Sequence, residues 1–123
     1  TLQWACFPPE LHEPLDVLTE DVLTSTSFVA RAGGRLVGMV RCQLLEDGTV
    51  WQLGLLMVAP DLRGHGLGRF LLEYAERAAP RSVTTYALLT GSTNASSQKL
   101  YKKAGYRPRG EAGPGVTRLT KSR

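Results

Sequence analysis

The sequence predicts an α/β fold on a mixed central sheet: an antiparallel meander, then a parallel strand reached across a helix, with helices flanking the sheet. Three observations carry that prediction. Apolar runs are separated by two turn signals, Gly33-Gly34 and Asp47-Gly48, which favour hairpins. Leu67, Phe70, Leu71, Tyr74, Ala75 and Ala78 then recur at helical spacing. A period-two segment over 82–90 follows, with a second helical pattern behind it.

The elements follow in chain order. Pro8, Pro9 and Pro14 interrupt the start, and Leu15, Leu18, Val22 and Leu23 give a short helical stripe from about Asp16. Phe28–Arg31, Leu36–Leu45 and Val50–Ala59 read as three antiparallel strands. The third is apolar on both faces, Val50, Leu56 and Val58 on one and Trp51, Leu53, Leu55 and Met57 on the other, so it is expected to be central and covered twice. In the helix after Pro60, Glu73 and Arg77 are placed for an i, i+4 pair. A strand over 82–90 precedes a helix with Asn94 as N-cap, Ser97, Leu100, Tyr101 and Ala104 on one face, Lys99, Lys102 and Lys103 on the other, and Gly105 at its end. A Gly/Pro-rich loop at Gly110–Gly115 leads to an edge strand at Val116–Thr120.

With 123 residues, 42% of them hydrophobic, the chain has room for one domain, expected over 1–123. Cys6 and Cys42 are too few and too far apart for a disulfide framework or a zinc site, which points to a reduced, cytoplasmic chain without a metal. Leu53–Ala59, the longest apolar stretch, is far too short to span a membrane. Thr1, without an initiator Met or a signal-peptide pattern, is expected to start a trimmed or partial chain. Charge is uneven: residues 1–60 hold seven acids against three bases, and residues 61–123 hold twelve bases against four acids. A basic half suits a polyanion or a phosphorylated cofactor, and an acidic half a cationic substrate. Nucleic acid is disfavoured, since no exposed aromatic platform or base-reading motif accompanies Lys99, Lys102, Lys103, Arg107 and Arg109.

The stretch Val58–Arg69, VAPDLRGHGLGR, lies between a buried strand and an amphipathic helix. Glycines at 64, 66 and 68 let several N–H groups converge beside the helix N-terminus, while Arg63 and Arg69 bracket them with charge. That pattern is an anion cradle suited to a phosphate or pyrophosphate, although the same glycines would also serve a close-packed turn. A dinucleotide fingerprint fails because the sixth place from Gly64 is Arg69, and no GxxxxGK[ST] string occurs.

The loop Arg63, Gly64, His65, Gly66, Leu67, Gly68, preceded by Val58–Pro60, resembles the (Q/R)xxGxG/A pyrophosphate loop of the GNAT superfamily of acyl-CoA-dependent N-acyltransferases. Asn94–Tyr106, NASSQKLYKKAGY, is similar to that superfamily's NxxAxxLYxxxGF/Y pattern. The resemblance runs from about residue 28 to 121, is closest to small, bacterial-type single-domain members, and implies the GNAT fold with its N-terminal strand and helix short or missing. It implies acetyl-CoA as acyl donor. Backbone groups of Leu56, Met57 and Val58 would pair with the pantetheine arm in a notch where the fourth and fifth strands splay. The amides from Gly64 to Arg69, including those of His65 and Leu67, would hold the pyrophosphate.

The resemblance gives Asn94 a cofactor contact and Tyr101 the role of general acid to the departing thiolate. Asn94 reads equally as a helix cap only, and Tyr101 as a packing residue beside Leu100 and Ala104. An amine must lose its proton before attack, and the two positions where the family often has a carboxylate base are Gln52 and Leu89, neither of which can accept it. His12, Glu13, Glu10, Asp16, Glu20 and Asp21 are alternative sources, as is a water chain. The expected function is acetyl transfer to a primary amine of a small, cationic molecule or peptide, with a homodimer as the family habit. The alternative is an acyl-CoA-binding regulatory module of weak turnover.

Overall fold

The computed structural model describes residues 15–22 and 25–123. In chain order they form β1 (Leu15–Val22), β2 (Ser25–Ala32), β3 (Arg35–Leu45), β4 (Val50–Val58), a 3-10 turn at Pro60–Leu62, α1 (Leu67–Arg77), β5 (Thr85–Gly91), α2 (Ala95–Lys103), β6 (Arg107–Gly113) and β7 (Val116–Ser122). The strands make one sheet in the order β1-β2-β3-β4-β5-β7-β6. Only β4 and β5 are parallel, joined across α1, so the expected mixed α/β sheet is present.

Two elements differ from expectation. The stripe from Asp16 is a strand, because Val17, Thr19 and Val22 are β-branched and eight residues are too few for a helix to stand alone. Pairing with β2 is unbroken from Leu15↔Ala32 to Val22↔Ser25, so the meander has four strands. The supposed Gly110–Gly115 loop is mostly β6, whose Pro108, Gly110 and Gly113 hide any alternation and coincide with two register shifts. An edge position tolerates these residues, and β7 is therefore interior, between β5 and β6.

The core lies between the sheet and α1. Trp51 Nε1 donates to the Ala75 carbonyl at 2.9 Å, and Tyr86 Oη to that of Glu76 at 3.2 Å. Register places Trp51 beside Tyr86 and Leu53 beside Leu88, and Leu88 beside Leu119. Gly38 is needed where α1 crosses β3: a Cβ there would sit 2.6 Å from Leu71 Cδ1. Glu76, nearly buried on α1, accepts from Tyr106 Oη at 2.6 Å and Lys121 Nζ at 3.2 Å. The pair on the outer face of α1 is Arg69–Glu73 rather than Glu73–Arg77.

β4 is central but not apolar on two continuous faces. Three steps along it, Gly54 to Met57, match two along β3, Arg41 to Met39, so one extra residue is inserted at Leu55–Leu56. That bulge reverses the alternation: Trp51 and Leu53 face α1, and beyond it Val58 does, packing at Gly68. Met57 turns to the other face, where it is 55% exposed; among the described residues no helix covers that face.

Candidate active site

The bulge and a break in the sheet occur together. Parallel pairing of β4 with β5 runs from Val50↔Thr85 to Leu53↔Leu88 and stops, so the two strands part beyond Gly54. Ala59 N–H donates to the Val37 carbonyl at 2.9 Å, toward β3. Alternation therefore turns the Val58 N–H toward the gap. On the far side of the chain, Arg35 and Asp61 pair through two hydrogen bonds, one of 2.9 Å, and tie the 3-10 turn to β3. The Arg35 hydrogen bond holds the Asp61 carboxyl below its ordinary pKa.

The glycine turn then delivers the chain into α1. Gly64 and Gly66 have φ of 83° and 87°, a left-handed backbone that glycine adopts without strain, and a Cβ at either would meet no protein atom within 4 Å. Gly66 is the N-cap and supplies no capping side chain, and the first turn carries no acid. The first amides of α1 are therefore left to an external acceptor. Arg63 is exposed and extended; Arg69 spends its Nε on Glu73 at 2.8 Å.

α2 closes the opposite wall. Asn94 Oδ1 accepts from Ser97 N–H and Ser96 Oγ, both at 3.2 Å, so the capping reading of this residue holds. At the other end Gly105, at φ 101°, lets its own N–H reach the Lys102 carbonyl and that of Tyr106 the Tyr101 carbonyl. This is a Schellman ending, and it brings the Tyr101 and Tyr106 rings edge to face at 6.3 Å. The LYKKAGY spacing thus fixes where Tyr101 sits. Its ring is 7% exposed, and burial raises the phenol's pKa, keeping it protonated.

These parts line one cleft of about 930 Å³. Leu56, Met57 and Val58 form its floor, Arg63, Gly64, Gly66, Leu67, Gly68 and Arg69 one wall, and Asn94 and Tyr101 the other. His65 alone of the residues expected here is not among the lining; it is half-buried in the turn. Ser96, Ser97 and Lys103 also line the cleft and were not anticipated. Lys103 reads as outer-face by helical spacing, and only the approach of α2 to the glycine turn brings it in. None of the described lining residues is acidic, and Arg63, Arg69 and Lys103 make the cleft cationic.

Gln52 and Leu89 lie on the face turned away from α1, Gln52 paired with Gln43 and Ala87 and Leu89 41% exposed past the break. Glu10, His12 and Glu13 fall outside the described residues. Among the described residues no helix is long and apolar enough to cross a membrane, and no three His, Cys, Asp or Glu gather.

Comparison with known proteins agrees with this geometry. The model of the acetyltransferase (GNAT) family matches residues 1–106. An IAA acetyltransferase of Azospirillum brasilense is 32% identical over 109 residues, 88% of this chain and 71% of that protein. An acetyltransferase of Thermus thermophilus shares the fold with a TM-score of 0.73 at 24% identity, over 81% of this chain. This chain spans only 65% of that structure's length. A Bacillus subtilis acetyltransferase solved with CoA superposes with a TM-score of 0.75 at 16% identity, over 89% of this chain and 99% of that one.

Proposed function

Because this chain belongs to the GNAT acetyltransferase family, we propose that it moves an acetyl group from acetyl-CoA to the primary amine of a small molecule. The observation that carries this reading is the cleft itself, which joins an uncapped, cationic helix N-terminus to a break in the sheet.

The residues present fit coenzyme A. Open space where Gly64 and Gly66 would carry a Cβ leaves room for a pyrophosphate against the amides of residues 64–69, His65 contributing through its backbone. Arg63, Arg69 and Lys103 add charge. Within Leu56–Val58, the backbone groups that alternation turns away from β3, those of Val58 among them, accept an extended pantetheine arm as a sheet edge accepts a strand, while Met57 keeps its pairing with Met39. Asn94 keeps its cap while facing the cleft and is the candidate for a side-chain contact there. When bound, acetyl-CoA would supply the thioester: the ammonium first gives up one proton, the free amine nitrogen bonds to the carbonyl carbon, the C–S bond breaks with its electron pair on sulfur, and loss of a second proton from nitrogen and gain of one by sulfur leave amide and thiol. The Val58 N–H donates to the carbonyl oxygen as its charge grows. Tyr101, held protonated, donates to the departing sulfur.

The acidic balance of residues 1–60 favours an amine that arrives as a cation. Neither Gln52 nor Leu89 can take its proton, so deprotonation falls to solvent or to the N-terminal acids. The same two positions favour a second reading, an acyl-CoA-binding regulatory module of weak turnover. The test is thiol release from acetyl-CoA over a panel of primary amines. Release that depends on the amine and falls at least tenfold in Tyr101→Phe supports transfer; tight acetyl-CoA binding with no release supports the module.

A further inference from the structure

We propose that the acceptor carries a carboxylate beside its amine and that Arg41 holds that carboxylate, an inference that rests on the acetyl-transfer reading above. The cofactor cleft opens on the side of α1 and α2, so an acceptor reaches the break between β4 and β5 from the opposite face of the sheet. Arg41 stands on that face: its neighbours Val40 and Cys42 are both fully buried in the core, and Arg41 itself is exposed. Register sets it directly across from Gly54, the last residue before the bulge. Gly54 has no side chain, and a Cβ there would meet nothing within 4 Å, so the space beside Arg41 over β4 is open.

The charge of this face differs from that of the N-terminal half as a whole. β2, β3, β4 and β5 contain no acidic residue. The seven acids of residues 1–60 fall at positions 10–21 and at the Glu46-Asp47 turn. By register the nearest to Arg41 across the sheet is Glu20, which pairs with Ser27, the residue that in turn pairs with Arg41. Arg41 takes part in none of the ion pairs formed among the described residues. A guanidinium stays charged at every working pH and presents a fork that matches a carboxylate in two hydrogen bonds.

Spacing limits the ligand further. Arg41 stands one strand, about 4.8 Å, from Gly54, and the Val58 N–H lies four residues farther along β4, so an Arg41 side chain extended toward the break leaves only a short bridge between a carboxylate on its guanidinium and an amine at the reacting centre. An amino acid has that dimension. Met39 and Met57, paired on the same face and with Met57 exposed, leave an apolar surface on one side of the Arg41–Gly54 row for its side chain.

The test compares matched pairs, L-methionine with L-methioninamide and L-phenylalanine with L-phenylalaninamide, as acceptors for wild type, Arg41→Ala and Arg41→Lys, by thiol release. The amides hold more free amine near neutral pH, so intrinsic reactivity runs against the expected result. The inference predicts that kcat/KM favours the acid at least tenfold in one pair. Arg41→Ala brings that ratio toward one, Arg41→Lys keeps part of it, and both variants keep the rise in melting temperature with acetyl-CoA. Equal use of acid and amide by wild type, or an acid-to-amide ratio unchanged in Arg41→Ala, overturns this inference and leaves acetyl transfer standing. No transfer to either member of any pair, while another primary amine of the panel releases thiol, overturns this inference alone; no release with any amine of the panel, with acetyl-CoA still raising the melting temperature, overturns it together with the transfer reading.

Discussion

Replacing Tyr106 by Phe removes one hydroxyl from the interior and leaves every apolar contact of the ring in place. That hydroxyl donates to Glu76 at 2.6 Å, and Tyr106 is 1% exposed, so no solvent replaces the lost donor. Burial, and then the bond to Glu76, pushes the phenol's pKa up, so it is the donor at every working pH. A hydrogen bond to a buried carboxylate contributes about 1.5–3 kcal/mol. Unfolding entropy for a chain of 123 residues is roughly 0.26 kcal/mol per degree, so the melting temperature should fall by about 6–12 °C. The assay is thermal denaturation of Tyr106→Phe, Glu76→Gln and the double variant. In the Glu76→Gln background the same change should cost less than half as much, since the charged acceptor is gone. An equal loss in both backgrounds refutes the assignment of the energy to this bond.

Four further predictions concern packing and burial. Gly38→Ala forces a Cβ to 2.6 Å from Leu71 Cδ1 and 3.0 Å from the Met57 carbonyl, and Leu71 is fully buried, so urea denaturation should show a loss of about 1–3 kcal/mol. Gly54→Ala, with open space at its Cβ, should stay within about 0.5 kcal/mol of wild type. Burial pushes the Cys42 thiol up to about 12, so in a Cys6→Ser background a thiol reagent should label it only as the chain unfolds. The folded chain holds that proton more tightly than the unfolded one. Stability from Cys42 is therefore complete below its ordinary value of 9.0 and is lost as pH rises toward about 12, and Cys42→Ala should show a shallower alkaline fall in urea midpoint.

The parts of this molecule written into local sequence were readable in advance. Glycines at 64 and 66 announce a left-handed turn, and Asn94 and Gly105 bracket α2 because caps are set by one residue's chemistry. What depended on a distant partner was not. β1 carries Leu15, Leu18 and Val22 of the four-residue helical stripe, Leu23 lying outside the described residues, and that stripe loses to the full length of β2; β6 is a strand only because β7 offers its edge. The bulge in β4 leaves no mark in an apolar run such as LGLLMV, yet it decides which face Val58 and Met57 occupy and where the sheet opens. Arg41 shows the same limit in the site. Its charge is visible in the sequence, but its place opposite Gly54 comes from register alone.

The most direct test of the cofactor cleft is a thermal melt with and without acetyl-CoA on wild type, Arg63→Ala and Lys99→Ala. At a hundredfold excess over the dissociation constant, binding adds about 2.7 kcal/mol, a rise of roughly ten degrees for a chain of this size. Arg63 lines the cleft and Lys99 does not. Both are exposed, so neither change should move the ligand-free melt by more than about two degrees. The account predicts a full rise for wild type and Lys99→Ala and the loss of most of it for Arg63→Ala. A folded wild type that acetyl-CoA does not stabilise, or an equal rise in all three proteins, contradicts it.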